Sequence, residues 1–100
     1  MVPEISVADL AHRLSQPNPP IVIDVREPDE FAFCRIEGAQ LKPLGGIMQW
    51  AQSLSPDGEY VIMCHMGGRS AQATSYLLRQ GFQLCEEQES LPAGDLQNRQ

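Results

Sequence analysis

Two short runs, Ile21-Val22-Ile23-Asp24-Val25 and Tyr60-Val61-Ile62-Met63-Cys64, are apolar or β-branched without the polar/apolar alternation of a half-wet strand. Such runs suit strands covered on both faces, the condition of a parallel sheet buried under helices. Around them the spacing turns helical. Val7, Leu10, Ala11 and Leu14 fall at i, i+3, i+4 and i+7, with Ser6 placed as N-cap and Asp9 near the positive end of the dipole. Pro17-Asn18-Pro19-Pro20 ends that helix. Glu27-Pro28 reads as a turn into a short helix, Ala39 to Leu41 as a brief strand, and Ile47, Met48, Trp50, Ala51 and Leu54 as a further helix. Ser70 to Gln80 forms another, with Ala73, Tyr76, Leu77 and Leu78 inward and Gly81 at the C-terminal cap. Phe82 to Cys85 is the last strand. Strands alternating with helices predict an α/β fold, a small and mostly parallel sheet with helices on both faces.

One hundred residues make one small domain, expected over residues 1–86. Residues 87–100 hold only Leu91, Ala93 and Leu96 as large or small apolar groups, so a disordered polar tail is expected there. No apolar run of about 18 residues indicates a membrane span. The start of the chain lacks a basic stretch leading into an apolar one, so a cytoplasmic location is expected. Seven basic against 13 acidic residues give a net charge of −6. That argues against nucleic acid as a partner and requires any anion site to be made locally. Three cysteines and two histidines, with no C-x-x-C pair, fit neither a disulfide framework nor a zinc site. Free thiols in a reducing compartment and a monomeric state are the expectation.

Ligands of parallel α/β sheets sit at the carboxyl ends of strands, and Cys64 lies at such an end. It opens the segment Cys64-His65-Met66-Gly67-Gly68-Arg69-Ser70. The two glycines permit positive φ, so successive N–H groups can turn inward as an anion nest. The helix that follows adds unsatisfied N–H groups and the positive end of its dipole, and Arg69 a permanent planar charge. These features favour the anionic, nucleophilic form of Cys64. The bland alternative is a buried structural cysteine before a Gly-Gly turn.

Cys64 to Ser70 resembles the active loop of rhodanese domains. Ile23-Asp24-Val25-Arg26-Glu27 with Glu30-Phe31 looks like that family's first signature, and Ile36-Glu37-Gly38-Ala39 is similar to its His-Ile-Pro-Gly-Ala segment, with Glu37 in place of proline. Leu77-Leu78 and Gly81-Phe82 also fit, so the resemblance runs from about Val7 to Leu84. It implies a rhodanese-like fold and a sulfurtransferase in which Cys64 accepts a sulfane sulfur from thiosulfate or a persulfide and passes it to a thiol or cyanide. No metal or organic cofactor is implied. His65, Met66, Gly67, Gly68, Arg69 and Ser70 would form the substrate loop. Asp24 and Arg26 would support it through a pair with Arg69, the alternative being a plain surface ion pair; Glu30 would either hydrogen-bond the loop or face water. A carrier or interaction module serving one partner protein is the rival of a different class. The related phosphatase and arsenate reductase branch usually places five residues between cysteine and arginine, whereas four separate Cys64 from Arg69, which favours sulfur.

Two departures stand out. Where the family usually continues with Gly-Gly and a tryptophan-bearing helix, this chain reads Glu86-Glu87-Gln88-Glu89-Ser90-Leu91-Pro92, and the position after the nucleophile is His65 rather than a basic residue. Cys34 is weighed as a second functional thiol, Cys85 as core, His12 as solvated, and Met48 and Trp50 as core packing.

Overall fold

The computed structural model describes residues 2–65 and 68–88. The two unalternating runs become the inner strands. β2 (Ile21–Asp24) and β4 (Glu59–Met63) pair in parallel, with Ile23 opposite Ile62 and Asp24 opposite Met63. β3 (Gln40–Leu41) flanks β2, β5 (Leu84–Gln88) flanks β4, and β1 (Glu4–Ile5) lies outside β5. The order is β1-β5-β4-β2-β3, and every pair is parallel.

Burial on both sides explains the lack of alternation. Ile23, Tyr60, Ile62 and Cys85 face Ile47, Ala73 and Leu77 on one side, in a cluster that also takes in Val25, Cys64 and Phe82. Val22, Val61 and Met63 face Leu10, Cys34 and Ile36 on the other. α3 (Ile47–Trp50) and α4 (Gly68–Arg79) thus supply the first cover, and α1 (Val7–Leu14) with the segment after α2 (Pro28–Phe33) the second. Ile23 and Ile62 are fully buried, and each such side chain contributes about 1.5–3 kcal/mol over an exposed one.

The local signals explain the helix ends. Ser6 Oγ accepts the Asp9 N–H at 3.1 Å, capping α1. Gly81 adopts φ 99°, where Cβ-bearing residues are strained, and lets Phe82 N–H reach the Leu77 carbonyl at 3.1 Å to close α4. α3 is one turn between two 3-10 turns, Leu44–Gly46 and Ala51–Ser53. Ile47 and Ala51, one turn apart, face the sheet, and Trp50 is half-buried with its indole N–H on the Pro43 carbonyl at 2.8 Å. Met48 points away from that face and is 69% exposed, so core packing is corrected for it and upheld for Trp50.

The expected domain end at residue 86 is also corrected. β5 runs through Glu87 and Gln88, both buried, because β1 offers it a second parallel partner: Glu4 stands opposite Glu87 and Ile5 opposite Gln88. The Glu87 N–H reaches the Pro3 carbonyl at 2.9 Å. Backbone ladder bonds to β1 hold this end of the strand, although its own side chains are polar. The rest of the expected tail, residues 89–100, lies outside the described residues. Among the described residues no helix is long and apolar enough to cross a membrane.

Candidate active site

Cys64 is the first residue beyond β4 and only 3% exposed. The strand delivers it to the sheet's carboxyl end, where α4 begins. The Ser70 N–H, one of the first-turn donors that no helical carbonyl can satisfy, points at Cys64 Sγ from 3.2 Å. The thiol in turn donates to Ser70 Oγ at 3.3 Å, and that hydroxyl donates to Glu87 Oε1 at 2.9 Å. The sulfur therefore sits on the positive end of a twelve-residue helix.

Arg69 and Glu30 form the second element. Arg69 Nη1 and Nη2 donate to Glu30 Oε1 and Oε2 at 2.7 and 2.9 Å, a bidentate pair about one-third exposed on each side. The Arg69 hydrogen bond, helped by the Glu27 N–H at 2.8 Å, outweighs desolvation and brings the Glu30 carboxyl down to about 2. Arg69 moves the opposite way, raised chiefly by the Glu30 hydrogen bond. Of the two roles open to Glu30, the structure shows the hydrogen bond to the loop residue.

The third element corrects an expectation. Asp24 and Arg26 pair with each other, not with Arg69: Arg26 Nε and Nη2 reach Asp24 Oδ1 and Oδ2 at 2.9 and 2.7 Å. Asp24 is on the face of the sheet opposite α4, in register with Met63, which turns its carboxylate away from Arg69. Nor is this a surface pair, since both side chains are at most 3% exposed. Burial lowers the affinity of Arg26 for its proton, but Asp24 more than offsets that, and the net shift is upward. Arg26 Nη2 also donates to the Cys34 carbonyl at 2.7 Å, at the C-cap of α2. The buried pair thereby fixes α2, α2 carries Glu30, and Glu30 holds Arg69. Support for the loop is indirect.

His65 is half-buried beside Cys64, and Gly68 is the first, exposed residue of α4. Met66 and Gly67 lie outside the described residues. Cys34 is buried and gives its carbonyl to Arg26. Cys85 is core as expected; burial pushes its thiol up to about 12, against a smaller downward pull from the Thr74 hydroxyl. His12 is exposed. Sequence reasoning missed Glu87, a buried carboxylate one hydroxyl away from Cys64. Its signal was present in the period-2 spacing from Cys85 to Glu87, which puts both on the α4 face if the strand continues.

Residues 6–87 match the family model of the rhodanese-like domain. A sulfurtransferase of Allochromatium vinosum is 35% identical over 82 residues, covering 82% of this chain and 77% of that protein. A rhodanese-like domain protein of Staphylococcus aureus has a crystal structure that superimposes with a TM-score of 0.82 at 30% identity, over 88% of this chain and 85% of that one. A Bacillus subtilis protein whose name proposes a sulfur carrier is 33% identical over 81 residues, 81% of this chain. The chain spans less than half of some curated relatives: 44% of that carrier and 29% of a longer Arabidopsis thaliana protein.

Proposed function

The chain belongs to the rhodanese-like domain family, and on that premise we propose that it is a sulfurtransferase moving a sulfane sulfur through a persulfide on Cys64. The donor is thiosulfate or a persulfide and the acceptor a thiol or cyanide. The observation that carries this reading is the seat of Cys64 Sγ, buried at the end of β4 with the Ser70 N–H at 3.2 Å.

The chemistry is two displacements at sulfur. In the first, the Cys64 thiolate attacks the outer sulfur of the donor; a new S–S bond forms, the donor's bond breaks, and sulfite or a thiolate leaves. In the second, the acceptor attacks the outer sulfur of the Cys64 persulfide and the Cys64 thiolate leaves. One sulfur atom moves and no outside oxidant or cofactor is needed for the balance. The Ser70 N–H and the start of α4 stabilise negative charge on the sulfur that leaves, as an oxyanion hole does for oxygen.

The phosphatase reading is weaker on two counts. Four residues rather than five separate Cys64 from Arg69, and the guanidinium that would grip a tetrahedral oxyanion is held by both oxygens of Glu30. A carrier that loads sulfur but serves one protein acceptor has the name of the Bacillus subtilis relative in its favour. Intact mass after thiosulfate or polysulfide treatment tests the persulfide itself. One added sulfur, removed by dithiothreitol and absent in Cys64→Ser, is expected; no added sulfur with any donor would sink the reading. Turnover with free cyanide or small thiols then separates enzyme from carrier.

A further inference from the structure

Resting on the reading of Cys64 as nucleophile, we propose that the acceptor is a cysteine on an extended segment of a partner protein, with an acidic side chain two to four residues from it. The groove between α4 and the turn from Leu44 to Ile47 receives that segment, and Arg79 binds its carboxylate. The groove offers about 590 Å³ and leads away from the site along α4. Its near end is Ala71, the residue after Ser70, with Leu44, whose N–H bonds the Val25 carbonyl at 3.1 Å just past the end of β2. Ile47 and Tyr76 complete an apolar floor. Gln72 stands exposed beside it, and Arg79, the last residue of α4, lines the far end.

Charge selects the occupant. The chain carries −6, yet the described residues lining this groove include one cation and no carboxylate. Arg13, Arg26 and Arg69 are each paired with carboxylates, whereas Arg79 forms no ion pair among the described residues. Its Nη1 donates to Ser75 Oγ at 3.1 Å, which folds the guanidinium back over the preceding turn, toward Cys64. The Ser70 N–H lies 3.2 Å from the sulfur, and α4 rises about 1.5 Å per residue from Ser70 to Ser75. The cation therefore stands roughly 10 Å from Cys64 Sγ along the helix. An extended chain advances about 3.3–3.6 Å per residue, so a carboxylate two to four residues from the acceptor cysteine spans that gap. Cyanide or a single thiol amino acid ends short of it. Between the two ends the Gln72 amide can donate to, and accept from, the peptide backbone passing over it. The displacement itself is unchanged: the partner's cysteine thiolate attacks the outer sulfur of the Cys64 persulfide, the new S–S bond forms on the partner, and the Cys64 thiolate leaves.

Peptide binding read without any sulfur donor tests the groove separately from the transferase reading. Capped alanine peptides carry serine in place of the acceptor cysteine and one glutamate two, three or four positions to either side; glutamine replaces glutamate in the controls. Titrated into the reduced, nitrogen-15-labelled chain, the best glutamate peptide should bind about three- to fivefold more tightly than its control, the range of one partly exposed ion pair. It should also move the backbone amide signals of Gln72, Ser75 and Arg79. Arg79→Glu should abolish that preference and pass it to the lysine counterpart of the same peptide. Cysteine versions of the peptides should then take sulfur from the persulfide-loaded chain with kcat/KM in the same order. Binding with this preference by a chain that loads no sulfur would fault the transferase reading and not the groove. Equal binding of glutamate and glutamine peptides, a preference that survives Arg79→Glu, or signal changes confined to other faces would overturn the proposal. Concentration-dependent movement of the same signals in the chain alone would assign the groove to a second copy and overturn it as well.

Discussion

Arg69 donates to both carboxylate oxygens of Glu30, a residue 39 positions earlier in the chain. The cation that ends the cysteine loop is thus tied to the helix that follows β2, and the two halves of the sheet are joined at the rim of the site.

That tie has a pH signature. The Glu30 carboxyl is lowered from 4.5 to about 2, so the pair contributes stability above the unfolded value, and loses it as pH falls through the folded one. Unfolding free energy should be insensitive to this pair down to about pH 4.5 and then decline toward pH 2. Because both side chains are about one-third exposed, solvent screening limits the effect to roughly 1 kcal/mol. Urea titrations of the wild type and Glu30→Gln should converge near pH 2, and a gap that persists there would show that Glu30 acts through something other than its charge. Transfer activity in Glu30→Gln should fall, since Arg69 and the start of α4 lose their anchor.

The buried pair behind α2 should matter more to stability. Asp24→Ala leaves the Arg26 guanidinium buried without its counter-charge, and breaking such a pair typically costs about 3–5 kcal/mol. A domain of this size holds about 5–15 kcal/mol in all, so the variant should be close to unfolding at room temperature. Chemical denaturation measures this directly. A loss under about 1 kcal/mol would mean that Arg26 is satisfied by the Cys34 carbonyl alone.

The three thiols should behave differently. Cys64→Ser is nearly isosteric and should keep the fold while abolishing sulfur loading, because a serine hydroxyl does not ionise in this range. Cys34→Ser and Cys85→Ser should both load. Burial holds the Cys85 thiol up to about 12, so at neutral pH it should resist alkylation until the chain unfolds. Peptide mapping after brief alkylation should find the label on Cys64 first. A dead Cys34→Ser beside an active Cys64→Ser would reverse the assignment.

These contrasts also mark what the sequence could reveal. The inner strands were legible because burial on both faces is written into composition: Ile23 and Ile62 sit among apolar neighbours on adjoining strands. The loop was legible because its residues are contiguous. Pairings between charges were not, since Asp24 could meet Arg26 or Arg69 until the sheet fixed which face it takes. Glu87 was hidden for a related reason. Its place depends on a two-residue edge strand more than eighty positions away, and polar composition argued against any strand there.

Thiosulfate is a dianion and the chain carries −6, so the overall field opposes its approach. Local attraction comes from N–H groups such as that of Ser70 and from Arg69, but Arg69 is already neutralised by Glu30. The residue after Cys64 is His65, not a permanent cation. Binding of thiosulfate should therefore be weak, and added salt should cost little activity or raise it, by screening the repulsion within a Debye length of about 8–10 Å. His65→Arg should lower KM for thiosulfate severalfold, since a nearby charge in a partly buried site is worth about 1 kcal/mol or more. An uncharged persulfide donor should respond much less to the same substitution. Steady-state kinetics with both donors at low and high salt decide the matter. Tight thiosulfate binding in the wild type that collapses with salt would require a basic surface around the loop.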